Sequence, residues 1–118
     1  MNIQEFRDYC ISKPGVTEEF PFGPEALVFK VGGKMFTLTG IEDFANINLK
    51  CKPEKVPDRI ENYSAVQPGY HMNKKHWITI LMDGTIPDKT IREWVDESYE
   101  LVFSSLPENV KSRITRSN

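Results

Sequence analysis

The sequence is poor in the residues that catalytic and metal-binding domains most often rely on. Two cysteines and two histidines are spread through 118 residues. Cys10 and Cys51 lie far apart and outside any C-x-x-C spacing, which excludes a redox pair or zinc ribbon; they read as buried apolar residues, not as a disulfide. No stretch approaches the roughly 18 consecutive apolar residues of a membrane helix. The opening MNIQEFRDYC places acids where a secretion signal requires a basic and then an apolar stretch. Internal repeats, low-complexity tracts and a strongly basic balance are also missing, the net charge being −2. The expectation is one domain over residues 1–118, cytoplasmic, soluble and monomeric, without a cofactor.

What the chain does contain is enough apolar material for one core, at 39% hydrophobic and 27% charged residues. Asn2 and Glu5 stand at capping-box spacing, and Ile3, Phe6 and Cys10 share a helical face that ends at Pro14-Gly15. VTEEFPFGPE then reads as a linking loop, broken by Pro21, Gly23 and Pro24. ALVFKV and KMFTLT flank Gly32-Gly33 and predict a two-residue hairpin pairing Val31 with Lys34, Phe29 with Phe36 and Leu27 with Leu38. In that register Leu27, Phe29, Phe36 and Leu38 face the core, and Val28, Lys30, Met35 and Thr37 face away.

NINLKC alternates as a third strand, with Ile47, Leu49 and Cys51 inward. Residues 53–63 predict a short helix with Val56, Ile60 and Tyr63 inward, irregular at Pro57. AVQPGYHM and HWITILM predict two strands around Asn73-Lys74-Lys75, the first shortened or held to an edge by Pro68. A long helix over about 87–105 carries the stripe Ile91, Trp94, Val95, Ser98, Leu101 and Val102, and ENVKSRI adds a short turn after Pro107. Closely spaced strands with tight turns are mainly antiparallel. The fold class is therefore α+β: a two-layer sandwich with about five antiparallel strands, N-terminal and C-terminal helices on one face, and the other face partly open.

Charge is uneven along this layout. Residues 1–25 hold five acids and two bases, and residues 83–100 hold six acids and two bases. Residues 50–76 reverse the balance, with six bases against three acids and both histidines in the same stretch. Within it, Tyr70-His71-Met72-Asn73-Lys74-Lys75-His76-Trp77 gathers lysines, histidines, an amide and two rings at a strand connection. Lysines bind phosphates, Asn addresses a base edge or a phosphate, and Tyr or Trp stacks a base. The competing reading is a polar hairpin turn with Tyr70 and Trp77 buried as strand anchors.

Conventional catalysis has little to stand on. His71 and His76 do not share a face by spacing alone, and no Cys or carboxylate sits nearby to complete a metal site. Gly32-Gly33-Lys34 joins two strands, so it is a hairpin and not a phosphate loop. No serine lies in a G-x-S-x-G context, and Ser98 serves close helix–sheet packing. The expectation is a binding domain, not an enzyme.

EFPFGPEALVFKVGGKMF, INLKCKPE, QPGYHMNKKHWITI and SYELV follow one another in this order and at these spacings. In that pattern the chain resembles the MmcQ/YjbR family of small bacterial proteins over nearly its whole length. The resemblance implies a CyaY-like fold, with helices on one side of an antiparallel sheet, and a DNA-binding role through a double-wing surface. Carried onto this chain, the family's motif falls on Lys50, Pro53, Pro68, Tyr70, Asn73, Lys75, His76 and Trp77, of which Lys50, Asn73, Lys75 and His76 are chemically available. The nucleic-acid-binding set expected here is thus Lys50, Lys52, His71, Asn73, Lys74, Lys75 and His76, supported by the rings of Tyr70 and Trp77. The alternative is a small-molecule- or protein-binding accessory domain in which that turn lines an apolar cleft. Frataxin-like metal handling follows from the fold alone, and the first helix carries only Glu5 and Asp8 for it.

Overall fold

The computed structural model describes residues 1–116. Its elements in chain order are α1 (Ile3–Ile11), β1 (Val16–Glu19), β2 (Ala26–Val31), β3 (Lys34–Gly40), β4 (Asn46–Lys50), a 3-10 turn (Pro53–Lys55), α2 (Val56–Asn62), β5 (Val66–Pro68), β6 (Trp77–Leu81), α3 (Asp88–Ser104) and α4 (Glu108–Arg116). The strands form one antiparallel sheet in the order β1-β2-β3-β4-β6-β5. The helices cover one face of it. A single core joins Phe6 and Cys10 of α1, Val56 of α2, Ile91, Val95 and Val102 of α3 and Ile114 of α4 to the inward side chains of the strands. The α+β class and the one-sided helix layer agree with the sequence reading.

The sheet has one strand more than expected. By sequence Val16–Glu19 belongs to a loop, because Pro21, Gly23 and Pro24 follow within a few residues. Those breakers in fact mark the turn after a short edge strand whose Val16 pairs with Val31 and Glu19 with Val28. Four residues at an edge leave little periodicity to read. At the other end of the chain, ENVKSRI belongs to a nine-residue helix, not a short turn. It is held by packing: a Cβ on Gly32 would lie 2.6 Å from Leu106, and one on Gly15 2.8 Å from Ile114.

The hairpin at Gly32-Gly33 forms as predicted, with both glycines at positive φ and Val31 opposite Lys34. Beyond Lys30–Met35 the register shifts, so that Phe29 faces Thr37 and Leu27 faces Thr39. Phe36 is the extra residue of a β-bulge and still points into the core. The expected pairs Phe29–Phe36 and Leu27–Leu38 are thereby corrected. Thr37 faces the helices, and Leu38 turns outward opposite Val28. The buried hydroxyls of Thr37 and Thr39 are satisfied by donating to the carbonyls of Asn48 and Asn46, each at 2.8 Å.

The bulge explains Ser98. Its hydroxyl donates to the Phe36 carbonyl at 2.5 Å and accepts the Lys50 amide at 2.9 Å. A serine on α3 therefore bridges β3 and β4 one residue beyond Thr37 and Leu49, an end pair of their ladder, which is more than close packing. Along α3 the buried stripe is Ile91, Trp94, Val95, Ser98, Tyr99 and Val102. Tyr99 takes the place expected for Leu101, its hydroxyl donating to the Pro14 carbonyl at 2.6 Å. No helix among the described residues is long and apolar enough to cross a membrane.

Candidate nucleic-acid interface

The antiparallel ladder fixes which candidate residues meet. Lys50 ends β4 directly opposite Trp77, the first residue of β6, and the Cys51 amide donates to the His76 carbonyl at 2.8 Å. Residues opposite one another share a face. Lys50 and Trp77 therefore lie together on the side of the sheet away from the helices, at the end where the 69–76 connection turns back.

That connection is not the symmetrical hairpin expected from two flanking strands. β5 stops at Pro68, and residues 70–72 are not strand. The Gly69 amide donates to the Trp77 carbonyl at 3.1 Å, and the Met72 amide to the Gly69 carbonyl at 3.2 Å. Gly69 is required by close approach: a Cβ there would lie 2.9 Å from the Trp77 Cβ. Asn73 organises the second half of the turn. Its carbonyl accepts the amides of His76 and Trp77, and its Oδ1 accepts the Lys75 amide at 2.9 Å. One acceptor of the Asn73 side chain is thus committed to the fold.

A polar strut ties this turn to the outward face of the sheet. The Tyr70 amide donates to Thr79 Oγ1 at 2.9 Å, and Thr79 Oγ1 donates to Asn48 Oδ1 at 2.6 Å, with Thr79 and Asn48 both buried. Above the strut, Tyr70 is 70% exposed, so it is not a buried strand anchor. Its ring lies 4.1 Å, centroid to centroid, from that of His71, which takes the left-handed conformation at φ +58°. Lys74 reaches back to the Gly69 carbonyl at 3.3 Å, which sets a cation beside Tyr70. Trp77 is half-buried, and Lys75 is exposed.

Charge around the turn is one-sided. Residues 44–53 and 62–82, which contain β4, β5, β6 and the connection, hold four lysines and two histidines and no Asp or Glu. Among the described residues none of Lys50, Lys52, Lys74 and Lys75 takes part in an ion pair. The three acids counted in the 50–76 stretch all sit on the 53–62 segment. Two of its bases are absorbed there as well, Lys55 and Arg59 both pairing with Glu97. Lys52 stands apart from the others, since it lines a cleft of about 500 Å³ with Glu93, Asp96, Glu97, Glu100, Leu101 and Ser104 of α3. The other main clefts are lined by segments away from 69–77.

The residues that could have offered nucleophilic or metal chemistry are occupied structurally. Burial pushes the Cys10 thiol well up. Burial also raises the Cys51 thiol, although Arg59 beside it pulls the other way, with Nη1 3.4 Å from Sγ. Neither is a thiolate at neutral pH. Among the described residues no three of His, Cys, Asp and Glu are grouped so as to hold a metal ion. The network that sequence reasoning missed lies on the helix side, where Arg59 is buried, stacks over Trp94 at 4.5 Å and binds Glu97 at 2.7 Å. The cue for it is weak, Arg59 being one base in a mixed run of charges.

Residues 11–101 match the sequence profile of the YjbR family. The chain is 40% identical over 106 residues to YbdF of Escherichia coli O157:H7, an alignment covering 89% of this chain and 87% of that protein. It is 32% identical over 117 residues to YjbR of Escherichia coli K12, covering 98% and 99% of the two. Among solved structures, a Deinococcus radiodurans protein superimposes with a TM-score of 0.88 at 36% identity, covering 97% of this chain and 88% of its own. A Pseudomonas syringae protein follows with a TM-score of 0.73 at 32% identity, covering 86% and 99%.

Proposed function

This chain belongs to the YjbR family, and on that premise we propose that it is a non-catalytic domain that binds nucleic acid, DNA first, through the turn end of its sheet. The observation that carries the reading is that β4, β6 and their neighbouring turn contain no Asp or Glu and that, among the described residues, their lysines have no carboxylate partner. Lysines left uncompensated beside one another are the electrostatic requirement for engaging a phosphate backbone. The layout also suits a two-winged contact. The Gly32-Gly33 hairpin and the 69–76 connection emerge from the same end of the sheet, since Val31 pairs with Lys34 and Pro68 with Ile78. Exposed Lys34 stands at the first wing, and Lys74 and Lys75 stand at the second.

The domain as a whole is mildly acidic, with a pI near 5.7. Binding must therefore be local to this end and steeply salt-dependent. With three or four phosphates engaged, log affinity for duplex DNA falls against log salt with a slope of roughly −3. The test is an anisotropy titration of labelled DNA at several salt concentrations, on the wild type and on Lys74→Ala/Lys75→Ala. No binding at low salt, or binding that the double substitution leaves unchanged, refutes the proposal. A small ligand seated against Trp77 has less support, because the main clefts lie elsewhere.

A further inference from the structure

Phosphate attraction accounts for the lysines but leaves the rings beside them unexplained. Tyr70 is 70% exposed, yet its backbone is hydrogen-bonded to the sheet. Its amide is held by Thr79, which is held in turn by buried Asn48, and the turn behind it closes through Gly69 onto Trp77. The two ends of the turn are thus fastened to β4 and β6, and the Tyr70 and His71 rings project from it next to each other. Across this end the order is Lys50, Trp77, the Lys74 ammonium on the Gly69 carbonyl, Tyr70 and His71. Cations and rings thus alternate over a hydrogen-bonded support, the Tyr70 ring exposed and that of Trp77 half-buried.

A duplex offers phosphates to such a surface, but its base faces are stacked inside. An unpaired strand offers both at once: phosphates for the lysines and free π-faces for the rings. We infer that the preferred ligand of this site is single-stranded nucleic acid, with an unpaired base stacked on Tyr70 and the flanking phosphates on Lys74, Lys75 and Lys50. The inference rests on the nucleic-acid reading above and narrows it. Holding the backbone that carries the ring in place beforehand removes part of the ordering cost of binding, which is what the Asn48–Thr79–Tyr70 strut supplies. Asn73 Oδ1 already accepts the Lys75 amide, so its first role is to shape the turn that carries the lysines.

The experiment uses the full chain, a labelled oligothymidylate of about a dozen nucleotides, the same strand annealed to its complement, and an abasic strand of equal length. Wild type is expected to bind the single strand at least roughly tenfold more tightly than the duplex at low salt. Tyr70→Ala should lose roughly tenfold or more on the single strand and little on the duplex or the abasic strand, while Tyr70→Phe keeps wild-type affinity. Lys74→Ala/Lys75→Ala should weaken all three. Duplex bound as tightly as the single strand, or Tyr70→Ala indistinguishable from wild type on the single strand, overturns the inference and leaves the phosphate reading standing. No binding to any of the three overturns both.

Discussion

Five acids sit on the seventeen residues of α3, whereas β4, β5, β6 and the turn that joins the last two carry none. On α3 the carboxylates are mostly matched within the fold. Asp88 meets the N-terminal ammonium at 3.2 Å, Asp96 meets Lys13 and the Tyr9 hydroxyl, and Glu97 holds both Arg59 and Lys55. At the sheet end Lys50, Lys52, Lys74 and Lys75 have no such partners among the described residues. Charged side chains are therefore placed differently in the two regions: in the helix layer they are largely paired within the fold, and at the sheet end, among the described residues, they have no carboxylate partner. The difference predicts that substitutions on the two sides separate cleanly, one set moving stability and the other binding.

The largest expected effect is on the helix side. Glu97→Ala leaves the buried Arg59 guanidinium between Trp94 and Cys51 without its counter-charge, and removing one partner of a largely buried pair costs about 2–4 kcal/mol. Denaturant unfolding measures it, with DNA affinity unchanged as the companion result. A loss below about 0.5 kcal/mol, typical of an exposed site, would break the contrast between the two regions. The same pair sets an acid limb. Burial alone would raise the Glu97 carboxyl, but the hydrogen bond and charge of Arg59, with Lys55 adding to them, hold it below its ordinary 4.5. A depressed carboxyl contributes stability that is complete above that ordinary value and is lost as the pH falls through the lower folded value. Wild-type stability should decline across that window, and Glu97→Gln should flatten this part of the decline.

Ser98→Ala comes next. It removes the hydroxyl between the Phe36 carbonyl and the Lys50 amide, leaving two backbone groups beneath α3 without a partner at a cost of about 2 kcal/mol. Because Lys50 is also a proposed phosphate ligand, this variant tests whether the two regions are independent. A Ser98→Ala variant that stays folded but binds DNA normally would show that the Ser98 bridge serves stability alone.

Much of the architecture could be read from the sequence because the cues were local. Asn2 and Glu5 form the expected capping box at 2.8 and 2.9 Å, Gly32-Gly33 makes the expected turn, and NINLKC alternates as predicted. The hairpin register was not legible beyond its first pair. The carbonyl of the bulge residue Phe36 is met by the Ser98 hydroxyl sixty-two positions away, and no neighbouring residue announces the bulge. Edge strand β1 was hidden by the prolines that follow it. At the candidate site the sequence drew attention to the 70–77 segment, and pairing of Lys50 with Trp77 places the third strand beside it. It could not show that Tyr70 is exposed, because a ring beside a strand is usually core and only the Gly69 closure turns this one outward.

On the sheet side, Lys74→Ala/Lys75→Ala should change stability by less than about 0.5 kcal/mol while lowering the salt slope by roughly 2, one for each phosphate no longer engaged. A stability loss of the size expected at Glu97 would mean that these lysines serve the fold after all, and the comparison would collapse.

The smallest effect is expected where the two regions meet. Lys52 is exposed and follows Cys51, whose amide binds the turn at His76, yet its cleft is walled by Glu93, Asp96, Glu97 and Glu100. A phosphate approaching Lys52 feels the lysine and those carboxylates within about one Debye length, roughly 10 Å at 0.1 M salt, so attraction and repulsion largely cancel. Lys52→Ala should therefore weaken DNA binding less than Lys50→Ala does, and Glu93→Gln/Glu100→Gln should strengthen it, by less than about threefold and only at low salt. Measured side by side, these substitutions place the boundary of the interface. If Lys52→Ala proves as damaging as Lys50→Ala, the binding surface extends over the α3 cleft, and the acid-free strands are only part of it.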